Sequence, residues 1–321
     1  MSTEKHSYDK AESFLRDVSP NGPKFLNDQK FSWAFRGVGK LAHKLVPVAL
    51  RPESKPELLE LAYGDRELDA DLRNTVAMQV GAEVETIWKF IETADGAGLP
   101  IPGMSVEMME SLNSYRRTIE YLIQNHQHHL GLHHPGFPLI NFPWDQEWPD
   151  RRVYPVLALA RHHGLPTRFL DWTKSSRVAA YFAASSALEI PVPNRDGELA
   201  VWAINDAGDS ELPISNLRFI SSPLADNKNM LAQDGLFTVE KAYPSQMAHR
   251  CEQSDIESLL DRQLETTRER MRLKCFLLTV EEAPKLLWLL ARDGISAGRL
   301  FPGYDGVAKA IRQLKLMKAV D

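Results

Sequence analysis

The stretch RHHGLPTRFLDWTKSSRVAAYFA, Arg161–Ala183, combines a turn, a short strand and a helix start. Gly164-Leu165-Pro166 predicts a stiff turn, because glycine and proline interrupt regular structure. The apolar pair between Arg168 and Asp171 predicts a short strand that ends in Asp-Trp-Thr. An alanine-rich apolar run follows, which predicts a helix that packs closely on a sheet. Polar side chains beside such a buried helix need partners or a ligand.

The start of this helix is the first candidate binding site. Thr173 or Ser175 is the predicted N-cap residue, because its hydroxyl can accept hydrogen bonds from the free amides of the first turn. Those amides and the helix dipole favour anions, and phosphates in particular. His162 ends the preceding predicted helix, and we expect it to face the same place.

The remaining pattern predicts an α+β fold with a compact mixed sheet, flanking helices and a helical insertion. The segments FSWAFRG (31–37), ELAVWAI, GLFTV and RLKCFLLTV predict strands. Apolar residues at helical spacing predict one helix over about 58–98 and a second around 112–122. We expect residues 1–29 to form a loosely attached polar leader. The domain would then cover 30–321, with 64–150 as a mainly helical insertion.

Composition restricts the function classes. The chain has 38 Lys and Arg against 43 Asp and Glu, a net charge of −5, which argues against a dominant nucleic-acid surface. Its start is polar, without the apolar region of a signal peptide, and no apolar run is long enough to span a membrane. Two cysteines make neither a disulfide framework nor a zinc cluster. We therefore expect a soluble cytoplasmic protein without a membrane partner.

Two further motifs are weak signals. The five histidines of HQHHLGLHH (126–134) suggest a metal, but they lack the HExxH spacing and lie in a proline-broken loop. We expect a solvated turn and no bound metal. The GVGK of 37–40 is not a phosphate loop, because Ala34 and Leu41 stand where that motif needs glycine and a hydroxyl residue.

Five segments in order carry a family resemblance. They are FRG (35–37), HHGLPTRFLDWT (162–173), AAYFA (179–183), AQDGLFTV (232–239) and GISAGRLFPGYDGVAKAI (294–311). Together they resemble the FRG domain, a bacterial family, over about Phe31 to Ile311. The chain departs from the family pattern at Arg161, where Gln is usual, at Asn229, where Arg is usual, and at Ser176, where Pro is common.

A weaker resemblance to the ADP-ribosyltransferase superfamily implies NAD as cofactor and cleavage of the nicotinamide–ribose bond. It implies that Arg36 holds the pyrophosphate, that a hydroxyl braces the ribose and that an aromatic ring stacks on nicotinamide. The implied catalytic residues are Arg36, His162, Thr173 and Gln233; the implied cofactor-binding residues are Arg36, Gly37, Trp172, Thr173, Ser175 and Phe237. That superfamily uses a Glu where this chain has Gln233, and Glu240 is the nearby alternative.

Three functions remain open from the sequence. The first is an NAD-dependent transferase or glycohydrolase, whose macromolecular acceptor is unknown. The second is a nucleotide-sensing module without catalysis, and the third is a metal-independent phosphodiesterase or nuclease that uses His162. In each case we expect six residues to converge on one pocket: Arg36, His162, Arg168, Asp171, Thr173 and Gln233. We expect Arg168 and Asp171 to be structural, and Arg36 to be functional and accessible to solvent. The oligomeric state is open.

Overall fold

A computed structural model describes residues 3–28, 32–42, 45–68, 73–125, 147–191, 197–206, 217–221, 228–242, 255–261 and 272–317. Its centre is a seven-stranded sheet. The strands are β1 Glu4–Tyr8, β2 Ser32–Val38, β3 Phe169–Thr173, β4 Glu198–Asp206, β5 Leu217–Ile220, β6 Gly235–Glu240 and β7 Leu273–Thr279. They lie in the order β1-β7-β4-β2-β3-β6-β5, with β1 and β7 parallel and the other neighbours antiparallel.

The described helices cover the sheet and its edges. They are α1 Ala11–Asp17, α2 Lys55–Tyr63, α3 Val76–Gly96, α4 Val106–Asn125, α5 Tyr154–His162, α6 Ser176–Glu189, α7 Lys228–Ala232, α8 Ile256–Asp261, α9 Ala283–Arg292, α10 Ala297–Leu300 and α11 Tyr304–Met317. Helices α1, α6, α9 and α10 share one apolar cluster with β2, β4 and β7. Helices α3, α4 and α5 share another with β3 and β6. The predicted α+β class, with a mixed sheet and flanking helices, is confirmed.

The expectation of a loosely attached leader is wrong. Glu4–Tyr8 pairs in parallel with Lys274–Leu278 of β7, and Phe14 of α1 is fully buried in the core. The polar composition of this segment hid its role, because an edge strand needs only a few apolar side chains when its backbone is paired. The boundaries predicted for the domain and its insertion stay predictions.

The single helix predicted over 58–98 is two helices. The first ends at Gly64, which has a φ of +59°, a conformation that favours glycine. The second begins after Thr75, whose hydroxyl accepts a hydrogen bond from the Met78 amide, and it ends at Gly96 as expected. Leu72, one of the residues behind the prediction, lies outside the described residues, as do the histidines of 126–134.

The closest approach of helix and sheet lies at Gly37 of β2. An ideal Cβ at this position would stand 1.9 Å from the Ala179 carbonyl oxygen and 2.6 Å from the Ala183 nitrogen, both on α6. The expected close packing of the alanine-rich helix is therefore confirmed, and glycine on the strand is as necessary as alanine on the helix. Phe35 lies on the same side of β2 and is fully buried.

A buried ion pair joins the helical layer to the sheet. The guanidinium of Arg168 donates to both carboxylate oxygens of Glu83, at 2.6 and 2.9 Å, and both side chains are almost completely buried. The indole of Trp148 and the amide of Gln79 also donate to Glu83, at 2.8 and 2.9 Å. The third contact of Arg168 is the carbonyl oxygen of Glu240, at 2.9 Å. Such a pair is costly to break from one side, because the remaining charge stays buried.

Gly37→Ala should destabilise the protein by about 1–3 kcal/mol, because the new methyl group meets helix backbone that has no room to give. Urea unfolding measures the loss. The matched control is Gly96→Ala at the end of α3, where a Cβ meets nothing within 4 Å and alanine favours the helix. Equal stability of the two variants would contradict the packing described here.

Glu83→Gln should lower the free energy of unfolding by about 3–5 kcal/mol, because Arg168 loses its buried counter-ion. The control is Glu120→Gln, which removes the equally bidentate but exposed pair with Arg66 and should cost about 1 kcal/mol or less. Thermal unfolding of both variants compares the two pairs. If Glu83→Gln costs no more than its control, the pair does not anchor the helical layer.

Candidate functional site

Strand β2 pairs much less extensively with β3 than with β4. Strand β2 pairs with β4 along its whole length, from Ser32 to Val38, but it pairs with β3 only where Phe35 stands opposite Thr173. Beyond this pair the two strands diverge, and the helical layers on the two halves of the sheet are separate clusters.

Three arginines and one carboxylate lie at this divergence; we call Arg36, Arg51, Arg161 and Asp171 the arginine cluster. Arg161, in the last turn of α5, donates from Nε and Nη2 to Oδ2 of Asp171, at 3.1 and 2.7 Å. Arg36 donates from Nη1 to the Asp171 carbonyl oxygen at 2.7 Å, and the same nitrogen is 3.6 Å from Oδ2. Arg51 donates from Nε to the Val46 carbonyl oxygen at 3.0 Å.

The charges of the cluster do not balance. The pKa of Arg36 is lowered to about 10, mainly by burial and also by Arg161 and Arg51, against the opposing effect of Asp171. Burial also lowers the pKa of Arg51, as does Arg161. Burial works to raise the pKa of Asp171, but Arg161 and Arg36 outweigh it and hold that pKa below its usual value. Three guanidinium groups therefore face two carboxylates, Asp171 and, near Arg51, Glu53, which leaves one positive charge in excess.

One donor of the cluster has no partner. Nε of Arg36 is buried and makes no hydrogen bond in the described part of the chain, although its side chain as a whole is 15% exposed. The expectation that Arg36 is open to solvent is therefore wrong in part: the side chain is largely enclosed and held at Asp171. Buried N–H groups in folded proteins nearly always have an acceptor, so this donor indicates a missing oxygen.

His162 lies at the edge of the cluster. Burial lowers its pKa, His163 lowers it further, and Asp171 acts in the opposite direction. These effects together favour the neutral imidazole. Its Nε2 is 2.7 Å from the side-chain amide nitrogen of Asn229 on α7. When the imidazole carries its proton on Nδ1, Nε2 accepts a hydrogen bond from this amide. Asn229 thus contacts His162 at the position where the family resemblance has an Arg.

Thr173 and Gln233 contact each other rather than an open cleft. The hydroxyl of Thr173 is buried, donates to the Gln233 carbonyl oxygen at 2.7 Å and accepts from the Ser175 amide at 3.0 Å. The Gln233 side chain donates to the Leu300 carbonyl oxygen at 3.0 Å. Ser175 accepts from the Val178 amide and is the N-cap of α6, which decides between the two hydroxyls proposed for this role. These contacts tie β3, α7 and α10 together.

Three other predicted site residues are enclosed in the protein. The indole of Trp172 donates to the Thr238 hydroxyl at 2.9 Å, and Phe237 packs on Phe169 with ring centroids 5.0 Å apart. Both rings are nearly inaccessible, so the structure does not present either to a ligand. The close contact of Gly37 with α6 gives that residue a packing role.

The expected convergence of six residues is partly found. Arg36 contacts Asp171, and His162 lies near them. Thr173, two residues after Asp171 on β3, contacts Gln233. Arg168 is not part of this group, because it is bound to Glu83. Arg168 and Asp171 thus have different partners, since Asp171 contacts Arg161 and Arg36.

Sequence reasoning missed Arg51 and the role of Arg161. Arg161 stood only as a departure from a family pattern, although a basic residue in the last turn of a helix is a common signal for an anion contact or a carboxylate partner. Arg51 lies in a segment of short turns, VALRPES, and nothing local in that segment distinguishes it. Its place beside Arg161 and Arg36 is set entirely by the tertiary fold.

Comparison with known proteins bears on the family. Residues 108–190 match the family model described as FRG domain. The chain contains an FRG domain. The matched residues of this FRG domain include Arg161, His162 and Asp171, whereas Arg36 and Arg51 lie outside the match. The wider extent predicted from Phe31 to Ile311 stays a prediction. Neither a curated protein nor a solved structure matches the chain.

Two kinds of feature are absent from the residues that the structure describes. None of the helices in these ranges has the length and apolarity needed to cross a bilayer. Within the same ranges, no group of three or more His, Cys, Asp or Glu side chains is placed to hold a metal ion.

Asp171→Asn should reduce stability at pH 7, and the difference from wild type should shrink as the pH falls below about 3.8, the ordinary pKa of the carboxyl group. The sign follows from the lowered pKa: the ionised carboxylate stabilises the fold above the unfolded-state pKa, and this contribution is lost on protonation. Urea unfolding between pH 2 and 7 measures it. The control, Asp95→Asn, removes an exposed carboxylate of α3 and should give parallel curves. A constant gap for Asp171→Asn would refute the coupling.

Proposed function

We propose that this protein binds a phosphate-bearing nucleotide at the arginine cluster, with NAD as the first candidate ligand. The observation that carries the proposal is the excess of positive charge where Arg36, Arg51 and Arg161 lie around Asp171, with Glu53 near Arg51. Guanidinium groups bind phosphate oxygens in bidentate, charge-assisted hydrogen bonds. A pyrophosphate offers negative charge and several acceptors to these groups.

Each arginine has a distinct part in this proposal. Arg51 contributes a positive charge that no carboxylate of the described residues contacts at ion-pair distance, although Glu53 and Asp171 lie near enough to oppose the lowering of its pKa. Arg161 is held by Asp171 through two nitrogens and is therefore preorganised for a second acceptor. Arg36 contributes the buried Nε donor that needs an oxygen. Preorganised side chains lose little entropy on binding, so an oxygen ligand completes these hydrogen bonds at low cost.

Binding without turnover is the form that the contacts favour. Cleavage of the nicotinamide–ribose bond builds positive charge on the ribose, which a carboxylate offsets. The Gln233 amide is bound to the Leu300 carbonyl oxygen and carries no charge. Glu240 ends β6 at the opposite end from Gly235, which pairs with Thr173, so it lies away from the hydroxyls at the start of α6. The arginine cluster thus supports recognition of the phosphates more directly than catalysis.

The test is calorimetric titration of the full chain with NAD and, separately, with inorganic pyrophosphate in the presence of EDTA. Arg51→Gln and Arg161→Gln should each weaken binding by about tenfold or more, since a charge-assisted hydrogen bond contributes about 1.5–3 kcal/mol. The control is Arg152→Gln, which removes a surface arginine paired with Asp150 and should bind like wild type.

Three kinds of result would change the conclusion. Absence of binding to wild type, or equal binding by the cluster variants and the control, contradicts the site. Release of free nicotinamide from NAD by wild type, abolished in Arg51→Gln, would replace the binding module with an NAD-consuming enzyme. Cleavage of nucleic acid under the same metal-free conditions, lost in His162→Gln, would favour the nuclease alternative instead.

A further inference from the structure

Strand β4 carries a second buried donor next to Arg36. The indole nitrogen of Trp202 is buried and makes no hydrogen bond in the part of the chain that the structure describes, and the residue is only 3% exposed. Trp202 stands directly opposite Arg36 in the β2–β4 ladder. Residues in such a pair project from the same face of the sheet, with Cβ atoms about 4.5–5.5 Å apart. Two buried N–H donors without a partner, Arg36 Nε and Trp202 Nε1, therefore belong to neighbouring side chains.

The side chains around Trp202 explain why its donor has no acceptor within the sheet. Its other ladder partner is Cys275 on β7, and burial raises the pKa of that thiol to about 12, so the thiol is uncharged at neutral pH. Its same-face neighbours along β4 are Ala200 and Ile204, which have no polar side-chain atom. An acceptor for Trp202 therefore has to come from a group other than these neighbours.

A second tryptophan on the same face shows the usual arrangement. The indole of Trp172 is equally buried, and it donates to the Thr238 hydroxyl at 2.9 Å. Both rings belong to one apolar cluster, which also contains Leu45 and Ile256. A buried indole N–H nearly always has an acceptor, yet the described residues supply one to Trp172 and none to Trp202. This difference indicates that the acceptor of Trp202 is an oxygen of a ligand.

We infer that Trp202 belongs to the binding site, and that its indole N–H and Arg36 Nε hold oxygens of one phosphate group of the ligand. This inference rests on the proposed function, because phosphate is the group that the arginine cluster attracts. Hydrogen bonds to a charged acceptor are strong, and they strengthen further where water is excluded. Both donors are buried, so the group that reaches them has to be compact, as a phosphate is and a nucleoside is not. We therefore expect Trp202 to contribute equally to the binding of pyrophosphate and of NAD.

The experiment is calorimetric titration of the full chain carrying Trp202→Phe with inorganic pyrophosphate and, separately, with NAD, both in the presence of EDTA. The variant should bind each ligand about tenfold more weakly or worse, because it loses a hydrogen bond to a charged acceptor. The control is Trp33→Phe, which removes a buried indole on the opposite face of the sheet and should bind like wild type. Trp33 also donates to the Asp28 carbonyl oxygen, so the melting temperature of Trp202→Phe should fall no more than that of the control.

A measurement on the wild type gives an independent test. The NMR resonance of an indole N–H responds to a new hydrogen bond, and the chain has seven tryptophans. Saturation with pyrophosphate should shift one of these resonances strongly, and that resonance should be the one missing from the spectrum of Trp202→Phe. If none of the indole resonances moves on saturation, the inference is wrong without any need for the variant.

The outcomes separate this inference from the proposed function. If Arg51→Gln and Arg161→Gln weaken binding while Trp202→Phe binds like wild type, an ordered water satisfies the indole and this inference alone is wrong. A loss of NAD affinity in Trp202→Phe with unchanged pyrophosphate affinity also overturns it, because Trp202 then contacts the nucleoside. Absence of any binding by the wild type overturns both this inference and the proposed function.

Discussion

The contact between the backbone of β2 and helix α6 is the constraint on which the rest of this structure depends. At Gly37 there is no space for a side chain between strand and helix, and β2 is the central strand of the seven. This close contact restricts the position of the strand relative to the helix and places Phe35 in the core on the helix side. The residue between them, Arg36, is directed to the other side, because side chains alternate along a strand. One tripeptide thus supplies a core ring, a cation and a packing glycine.

The two arginines of the central motif show how similar residues take different roles. Arg168 is enclosed and fully matched by Glu83, so its charge is satisfied and it anchors the helical layer to the sheet. Arg161 shares Asp171 with Arg36 and lies beside Arg51, so the charge at its end of the motif is not matched. The difference lies in the number of carboxylates within reach. An arginine with its own buried partner stabilises the fold, whereas arginines that share one carboxylate retain affinity for a further anion.

Residues on and after helix α7, and Leu300 at the end of α10, make hydrogen bonds beside the arginine cluster. Asn229 of α7 contacts His162, and Gln233, directly after α7, joins the end of β3 to Leu300. The segments that carry the family resemblance thus meet in space through main-chain and side-chain hydrogen bonds. These contacts explain why Gln233 and Thr173 occur in motifs without requiring either to touch a ligand.

The sequence by itself determined the local elements and their class. Short apolar segments predicted β2, β4, β6 and β7, the small residues of α6 predicted its close packing, and the hydroxyls before it predicted its cap. These features depend on residues near one another in the chain, so local physical chemistry suffices. The tertiary structure alone decided the partners. Glu83 is 85 residues from Arg168, and Arg36 is 135 residues from Asp171. It also decided that Trp172 and Phe237 face the interior and that the polar start of the chain adds a strand to the sheet. A charge or ring has no local signal for its partner, because long-range pairing depends on how the layers pack.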